Sequence, residues 1–207
     1  MKSLTKVTTT TLIGAALMLG SAAASANLIV NGSFENENVG NGDWMRFDAA
    51  DVDGWEGSSI EIWDSYGSVD SYEGEQHAEL NAHPYSGSAF GIYQEFSTVA
   101  GSTYDVFFAY RARSSNDESF KAFIDNGADY SWLMDDHTTG EWSVFQGSFI
   151  AQSSVSKLTF LTVNPETGTV GNFLDDVRVT AAVPEPGTLA LLGLGLVGFG
   201  LSRRKAR

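Results

Sequence analysis

The stretch Asn172-Phe173-Leu174-Asp175-Asp176-Val177-Arg178-Val179-Thr180 decides the fold class, because its polar and apolar side chains largely alternate. A period of two residues is that of an extended strand, in which successive side chains point to opposite faces of a sheet. The pattern predicts a strand with one face formed by Phe173, Asp175, Val177 and Val179. The opposite face carries Arg178, and we expect it to meet solvent.

The same alternation recurs through the middle of the chain, where helical periodicity is almost absent. Turn clusters such as Asn31-Gly32 and Asp53-Gly54 separate the alternating segments. The predicted strands are Leu28–Val30, Ile60–Trp63, His77–Asn81, Gly91–Phe96, Tyr104–Arg111, Phe120–Asp125, Trp142–Ile150, Ser156–Val163 and Asn172–Thr180. Short strands with this punctuation indicate an all-β protein folded as an antiparallel β-sandwich.

The first 26 residues have the composition of an N-terminal signal peptide. Two lysines precede a short apolar run, and Ala24-Ser25-Ala26 matches an Ala-x-Ala cleavage site. The apolar run is too short for a retained anchor and lacks a stop-transfer flank. We therefore predict cleavage after Ala26, export, and one domain over residues 27–182.

Residues 183–207 combine Pro184-Glu185-Pro186, an apolar run over 188–201 and a basic end. As a helix, the run would extend roughly 21 Å, which is shorter than the roughly 30 Å hydrocarbon core of a bilayer. The alternative is a buried helix of a soluble domain. Four glycines within the run disfavour that alternative.

This tail resembles the PEP-CTERM sorting signal of Gram-negative bacteria. The resemblance implies that an exosortase-type membrane enzyme recognises Pro184, Glu185 and Pro186. It implies a C-terminal short transmembrane helix that anchors the chain in the membrane before processing. Removal of the apolar segment would then deliver the protein to the cell surface or extracellular matrix.

The charge of the middle segment restricts the classes of molecule that it can bind. Residues 27–182 contain 25 Asp or Glu and 6 Lys or Arg, a net charge of −19. A field of this sign repels nucleic acid and other polyanions, whereas it favours solubility and divalent cations. The chain has no cysteine, which excludes disulfides, thiol catalysis and cysteine-ligated metals.

The middle segment resembles the jelly rolls of carbohydrate-binding modules, which have the galactose-binding-domain fold. The similarity is carried by the stretches Asn27–Glu35, Asp53–Trp55, Gly74–Asn81, Gln94–Thr98, Gly101–Tyr104 and Phe173–Val179. Their order is most similar to proteins of the domain of unknown function 642 type, although the plant members carry cysteines. The resemblance implies a calcium ion held by Glu35 and Asp175.

The predicted strand pattern offers a separate hint of calcium. Asp175 shares a face with apolar residues, and a buried carboxylate without a partner is costly. A hard cation with oxygen ligands would remove that cost. The alternatives are an arginine, backbone donors, or a frayed strand end.

Aromatic side chains suggest a carbohydrate site, since a sugar presents an apolar face that can stack on a ring. Trp63 is predicted on the polar face of its strand, and Tyr66, Tyr85 and Trp132 lie in connections rich in Ser, Gly and Asp. Packing is the alternative for each of them, and we expect Trp55 to lie in the core.

Catalytic motifs are absent from the sequence. His77 and Glu79 share a strand face and could form a dyad, but solvated strand faces have the same pattern. We predict a non-enzymatic matrix or cell-surface protein that binds polysaccharide. The alternatives are a self-associating structural matrix or biofilm protein and a hydrolase acting on glycans.

Overall fold

The computed structural model describes residues 25–85, 87–127 and 129–182, which form two β-sheets. The strands are β1 (Asp43–Phe47), β2 (Glu56–Gly57), β3 (Ile60–Asp64), β4 (Gln76–Glu79), β5 (Gly91–Ser97), β6 (Thr103–Arg111), β7 (Ser119–Asp125), β8 (Asp129–Met134), β9 (Ser143–Ile150), β10 (Val155–Asn164) and β11 (Phe173–Ala181). Two short 3-10 helices, Ala49–Asp51 and Tyr66–Ser68, lie in the connections.

One sheet has six strands in the order β1-β3-β4-β11-β6-β9, and the other has five in the order β2-β5-β10-β7-β8. Neighbouring strands in both sheets run antiparallel. The predicted antiparallel β-sandwich is therefore confirmed. Most sheet neighbours are distant in sequence, so hydrophobic packing between the sheets must hold the register.

Aromatic rings fill the space between the two sheets. The ring of Phe108 lies 4.8 Å from that of Phe145 and 5.0 Å from that of Phe160. Trp55 is only 2% exposed, and its ring lies 5.3 Å from that of Phe34. The expectation that Trp55 belongs to the core is confirmed.

The face assignment along β11 is partly wrong, because a β-bulge interrupts the strand. The register with β6 shifts between Asp175 and Arg178, and Asp176 has a left-handed φ of 49°. An extra residue moves the following side chains to the other face. Val177 and Val179 consequently join the core between the sheets, whereas Phe173 packs against Trp63 on the outer face.

Eight of the nine predicted strands are present with shifted ends, and three strands were missed. Residues 28–30 form no strand, although the N–H of Leu28 donates to the carbonyl of Val179 in β11 (2.8 Å). The missed strands are β1, β2 and β8. Each of them lies at the edge of its sheet. Consecutive apolar residues interrupt the alternation in β1 and β8, and β2 has only two residues.

Within the part of the chain that the structure describes, no helix is long and apolar enough to span a bilayer. The predicted signal peptide, apart from its last two residues, lies outside the described residues. So does the predicted C-terminal helix, together with Pro184, Glu185 and Pro186.

Candidate functional site

A cleft of about 380 Å³ lies beside Tyr85, which is 65% exposed. It is lined by Arg46, Asp48, Ala49, Ala50, Gly57, Ser58, Ser59, Pro84, Tyr85 and Phe90. Three separate parts of the chain build the walls: residues 46–50, residues 57–59, and the group Pro84, Tyr85 and Phe90. An exposed aromatic ring thus shares one cavity with a guanidinium, a carboxylate and two hydroxyl groups.

The polar groups of the cleft form a connected set. The Nη2 atom of Arg46 donates to Oδ1 of Asp48 and to Oγ of Ser59, the latter at 2.5 Å. The Ser59 hydroxyl also donates to Oδ1 of Asp48 over 3.4 Å. Arg46 and Asp48 are 38% and 65% exposed in their side chains, so a ligand can compete for these groups.

Close backbone packing positions the floor of the cleft. Gly57 has a φ of 113°, and a Cβ atom there would lie 2.2 Å from the carbonyl oxygen of Gly91. Ser58 donates its N–H to the same oxygen (2.8 Å), and its Oγ accepts the N–H of Gly91 (3.0 Å). Glycine at 57 therefore allows β2 to approach β5 and sets Ser58 and Ser59 at the edge of the cavity.

The predicted sugar-binding aromatics do not form one site. Tyr85 lines the cleft, and Tyr66 is 39% exposed elsewhere, with its ring edge-on to Trp63 at 5.0 Å. Trp63 lies on the face opposite Ile60 and Ile62, as predicted, but it is only 4% exposed and does not offer an open stacking surface. Tyr66, Phe173 and the guanidinium of Arg113, which lies 4.6 Å from the ring centroid, cover it.

Trp132 was predicted in a connection but lies in β8. Its ring is 4.9 Å from that of Phe145 and packs against the core, so it is partly buried. The sequence reasoning also missed Arg46, Asp48 and Ser59. A basic residue within the otherwise apolar run Trp44-Met45-Arg46-Phe47 was the available signal for Arg46.

Glu35 and Asp175 both bind the segment 72–76 through its backbone. Oε1 of Glu35 accepts the N–H groups of Glu75 and Gln76, each at 2.7 Å. Oδ2 of Asp175 accepts those of Tyr72 and Glu73 at 2.8 and 2.9 Å. The backbone donors expected as one alternative for Asp175 are therefore present.

The fit of these two carboxylates to a calcium ion is incomplete. Calcium takes six to eight oxygen ligands, and residues 25–85, 87–127 and 129–182 contain no group of three or more His, Asp or Glu side chains suited to a metal. Backbone carbonyls and water would have to supply the rest of the shell. Burial raises the pKa of Asp175 to about 8, and its three backbone donors oppose that rise.

His77 and Glu79 are fully buried on the outer face of the six-stranded sheet. Burial, followed by the charge of Arg111, lowers the pKa of His77 to about 3. Its Nδ1 atom lies 2.9 Å from the hydroxyl of Ser71, and the ring contacts Phe173 at 4.7 Å. Glu79 binds Arg113, so each member of the predicted dyad has its own structural partner.

Ala26 is exposed at the beginning of the sandwich, and the next residue, Asn27, is hydrogen-bonded to β11. The side chain of Asn27 donates to the carbonyl of Val177 (3.1 Å) and accepts the N–H of Val179 (2.9 Å). Cleavage after Ala26 stays a prediction. It would leave Asn27 at the start of the mature chain with these contacts intact.

Residues 182–205 match the family model of the PEP-CTERM protein-sorting motif. The resemblance noted in the tail is thereby confirmed. The motif marks the chain as an exported surface protein that an exosortase processes.

Halomucin of Haloquadratum walsbyi is 28% identical over 176 residues, which is 81% of this chain. The chain spans about 2% of the length of that relative.

Two solved structures are similar to the sandwich. The enzymatically active domain of tailspike protein 4 of bacteriophage CBA120 has a TM-score of 0.51 and 13% identity, covering 75% of this chain and 21% of that one. TmCBM61 in complex with beta-1,4-galactotriose has a TM-score of 0.49 and 20% identity, covering 76% of this chain and 100% of that one. At such identity the tailspike likeness establishes the fold alone.

Proposed function

We propose that this exported surface protein binds carbohydrate in the Tyr85 cleft and has no enzymatic role. The observation that carries the proposal is the exposed ring of Tyr85 beside Arg46, Asp48 and Ser59 in one cavity. Small-ligand sites commonly combine an apolar wall with a few convergent polar groups.

Each group in the cleft has a counterpart on a sugar. The apolar face of a pyranose can stack on the Tyr85 ring, which is rigid and largely free of packing contacts. Hydroxyl groups at the sugar edge can accept from Arg46 and donate to Asp48, and these charge-assisted hydrogen bonds are the stronger kind. The Arg46–Asp48–Ser59 set is already oriented, so little ordering is required on binding.

The charge of the domain favours a neutral glycan. A segment with a net charge of −19 repels an acidic polysaccharide at long range. We therefore expect neutral exopolysaccharide or cell-wall glycan to bind better than sulfated or uronic-acid polymers. Delivery to the matrix of a Gram-negative cell, after transient membrane anchoring by the apolar tail, would bring the cleft to such polymers.

A calcium ion at Glu35 and Asp175 remains part of the proposal. The support is that both carboxylates hold the same segment, 72–76, and that Asp175 is fully buried. A cation there would compensate the buried charge and tie the start of the sandwich to β11. Its role would be structural, because neither residue lines the Tyr85 cleft.

Binding can be tested with the exported protein recovered from the cell exterior on an array of neutral and acidic polysaccharides. The expected result is retention of neutral glycans, with loss of retention when Tyr85 is replaced by Ala. An array without any bound polysaccharide, including the host's own exopolysaccharide, would overturn the proposal. Release of reducing sugar from a bound glycan would instead favour the hydrolase.

A further inference from the structure

The edge strand β9 (Ser143–Ile150) is an open sheet edge over residues 144–148, whereas the Ile150 N–H and C=O are bonded by Tyr130 and Asn126. It ends the six-stranded order and pairs with β6 alone. Natural sheets usually protect such edges with charged residues, Pro, or short strands. Eight residues long, Ser-Val-Phe-Gln-Gly-Ser-Phe-Ile contains no charge and no Pro.

The lack of charge is unusual for this chain. Residues 27–182 have a net charge of −19, so two copies repel each other over most of their surfaces. An uncharged strand is where two copies can approach most closely. The opposite edge of the same sheet, β1, carries Asp43 and Arg46 in only five residues.

The hydrogen bonds of β9 show which of its backbone groups point away from β6. The N–H of Ile150 donates to the hydroxyl of Tyr130 in β8 (3.1 Å) and so points away from β6. In an antiparallel ladder every second residue points the same way. The N–H and C=O groups of Val144, Gln146 and Ser148 therefore also point outward, to the open edge.

The side chains of the same residues are self-complementary. Val144 and Ile150 are 44% and 45% exposed, and Gln146 and Ser148 between them are exposed as well. In an antiparallel pair of β9 strands centred on Gly147, the backbone groups of Gln146 and Ser148 form the inter-copy hydrogen bonds. Val144 lies opposite Ile150 of the other copy, where the contact is made by side chains because the Ile150 N–H and C=O are bonded within the chain. Gln146 then lies opposite Ser148, so apolar residues meet apolar ones and polar residues meet polar ones.

We propose that β9 is a self-association edge, at which two copies of this chain pair antiparallel about a two-fold axis through Gly147. The two sheets would join into one continuous twelve-stranded sheet. The interface is small, so the dimer is weak and concentration-dependent. Higher salt should strengthen it by screening the repulsion between the acidic domains.

The register can be tested by sedimentation of the exported protein over a range of concentrations and salt. In Q146E/S148E, like charges would face each other twice in the dimer, and we expect association to weaken about tenfold. In Q146K/S148E, opposite charges would face each other, and association should return to at least that of the unmodified protein. Both variants carry the same new carboxylate beside Asp105, so the difference reports position 146.

A net-charge control separates the edge from general repulsion. Asn38 and Ser97 are exposed and lie outside β9, and N38E/S97E adds the same charge as Q146E/S148E. It should associate like the unmodified protein at high salt. A protein that is monomeric at every concentration, or one whose association is equal in the two position-146 variants, would overturn the proposal.

Discussion

The Nη1 atom of Arg113 lies 2.7 Å from both carboxylate oxygens of Glu79, whose side chain is fully buried. The N–H of Gly171 donates to Oε1 of the same carboxylate at 2.8 Å. Burial is the main cause that raises the pKa of Glu79 to about 8, while Arg113 and Gly171 oppose the rise. These contacts join β4 to the segments that precede β7 and β11.

Replacing Arg113 with Ala should lower the free energy of unfolding by about 3 kcal/mol, because a buried carboxyl loses its partner. A carboxyl with a raised pKa stabilises the fold below its unfolded pKa and loses that contribution as pH rises through the folded value. Losing the guanidinium raises the pKa further, so the deficit should change little below about pH 7 and should grow from pH 7 to pH 9, as pH passes through the folded pKa of about 8. Urea unfolding at both pH values measures it.

R46A, which breaks an exposed pair, is the control and should cost about 1 kcal/mol or less. A loss of unfolding free energy in R113A that does not change with pH would show that Glu79 is not the group that titrates.

His77 should make the fold sensitive to acid. Its pKa falls from 6.5 to about 3 on folding, so the unfolded chain takes up a proton that the folded chain excludes. Stability is therefore lost as pH drops from about 6.5 towards 3, by about 2 kcal/mol at pH 5. Melting temperatures across this range should show a shallower slope for H77Q than for the unmodified protein. Equal slopes would show that His77 is not the titrating group.

Calcium binding would appear as a chelator-dependent melting temperature. If Glu35 and Asp175 hold the ion, chelation should lower the midpoint and calcium should restore it. E35Q should lose this response while leaving Tyr72 and Glu73 bound to Asp175. An unchanged midpoint in the unmodified protein would exclude the ion and leave backbone donors as the sole partners of Asp175.

Tyr85 should contribute to glycan binding through its ring. Y85F retains the stacking surface and should keep affinity within about threefold, whereas Y85A should lose about tenfold or more. Stability should hardly change, because the side chain is 65% exposed. Y66A serves as the comparison, since Tyr66 does not line the cleft. Loss of binding in Y66A with retention in Y85A would move the site to Tyr66.

Gly57 should tolerate no side chain. G57A brings a Cβ atom against the carbonyl of Gly91 at a φ of 113°, and we expect a loss of at least about 2 kcal/mol. Gly140 has a φ of 95° with no atom within 4 Å of an added Cβ, so G140A measures the backbone strain alone. Thermal melting of both variants measures the loss of stability. Equal losses would show that a clash between β2 and β5 does not contribute to the effect of G57A.

The fold class could be predicted because strand alternation is a local property. Tyr104, Val106, Phe108 and Tyr110 alternate along β6, and all four lie in the core. The candidate site was predicted less well. Tyr85 was named from its loop composition, but the partners Arg46, Asp48 and Ser59 reach it through strand pairing that no local pattern encodes.

By itself, the sequence determined that the chain is β-rich, strongly acidic, free of disulfides and equipped with a sorting motif, because composition and short periods carry that information. Only the tertiary structure decided which faces meet. The bulge after Asp175 reversed the phase of β11, and the outer-face cluster of Phe173 and Arg113 buried Trp63. One inserted residue exchanges the two faces of a strand, and whether it is inserted depends on packing against distant segments.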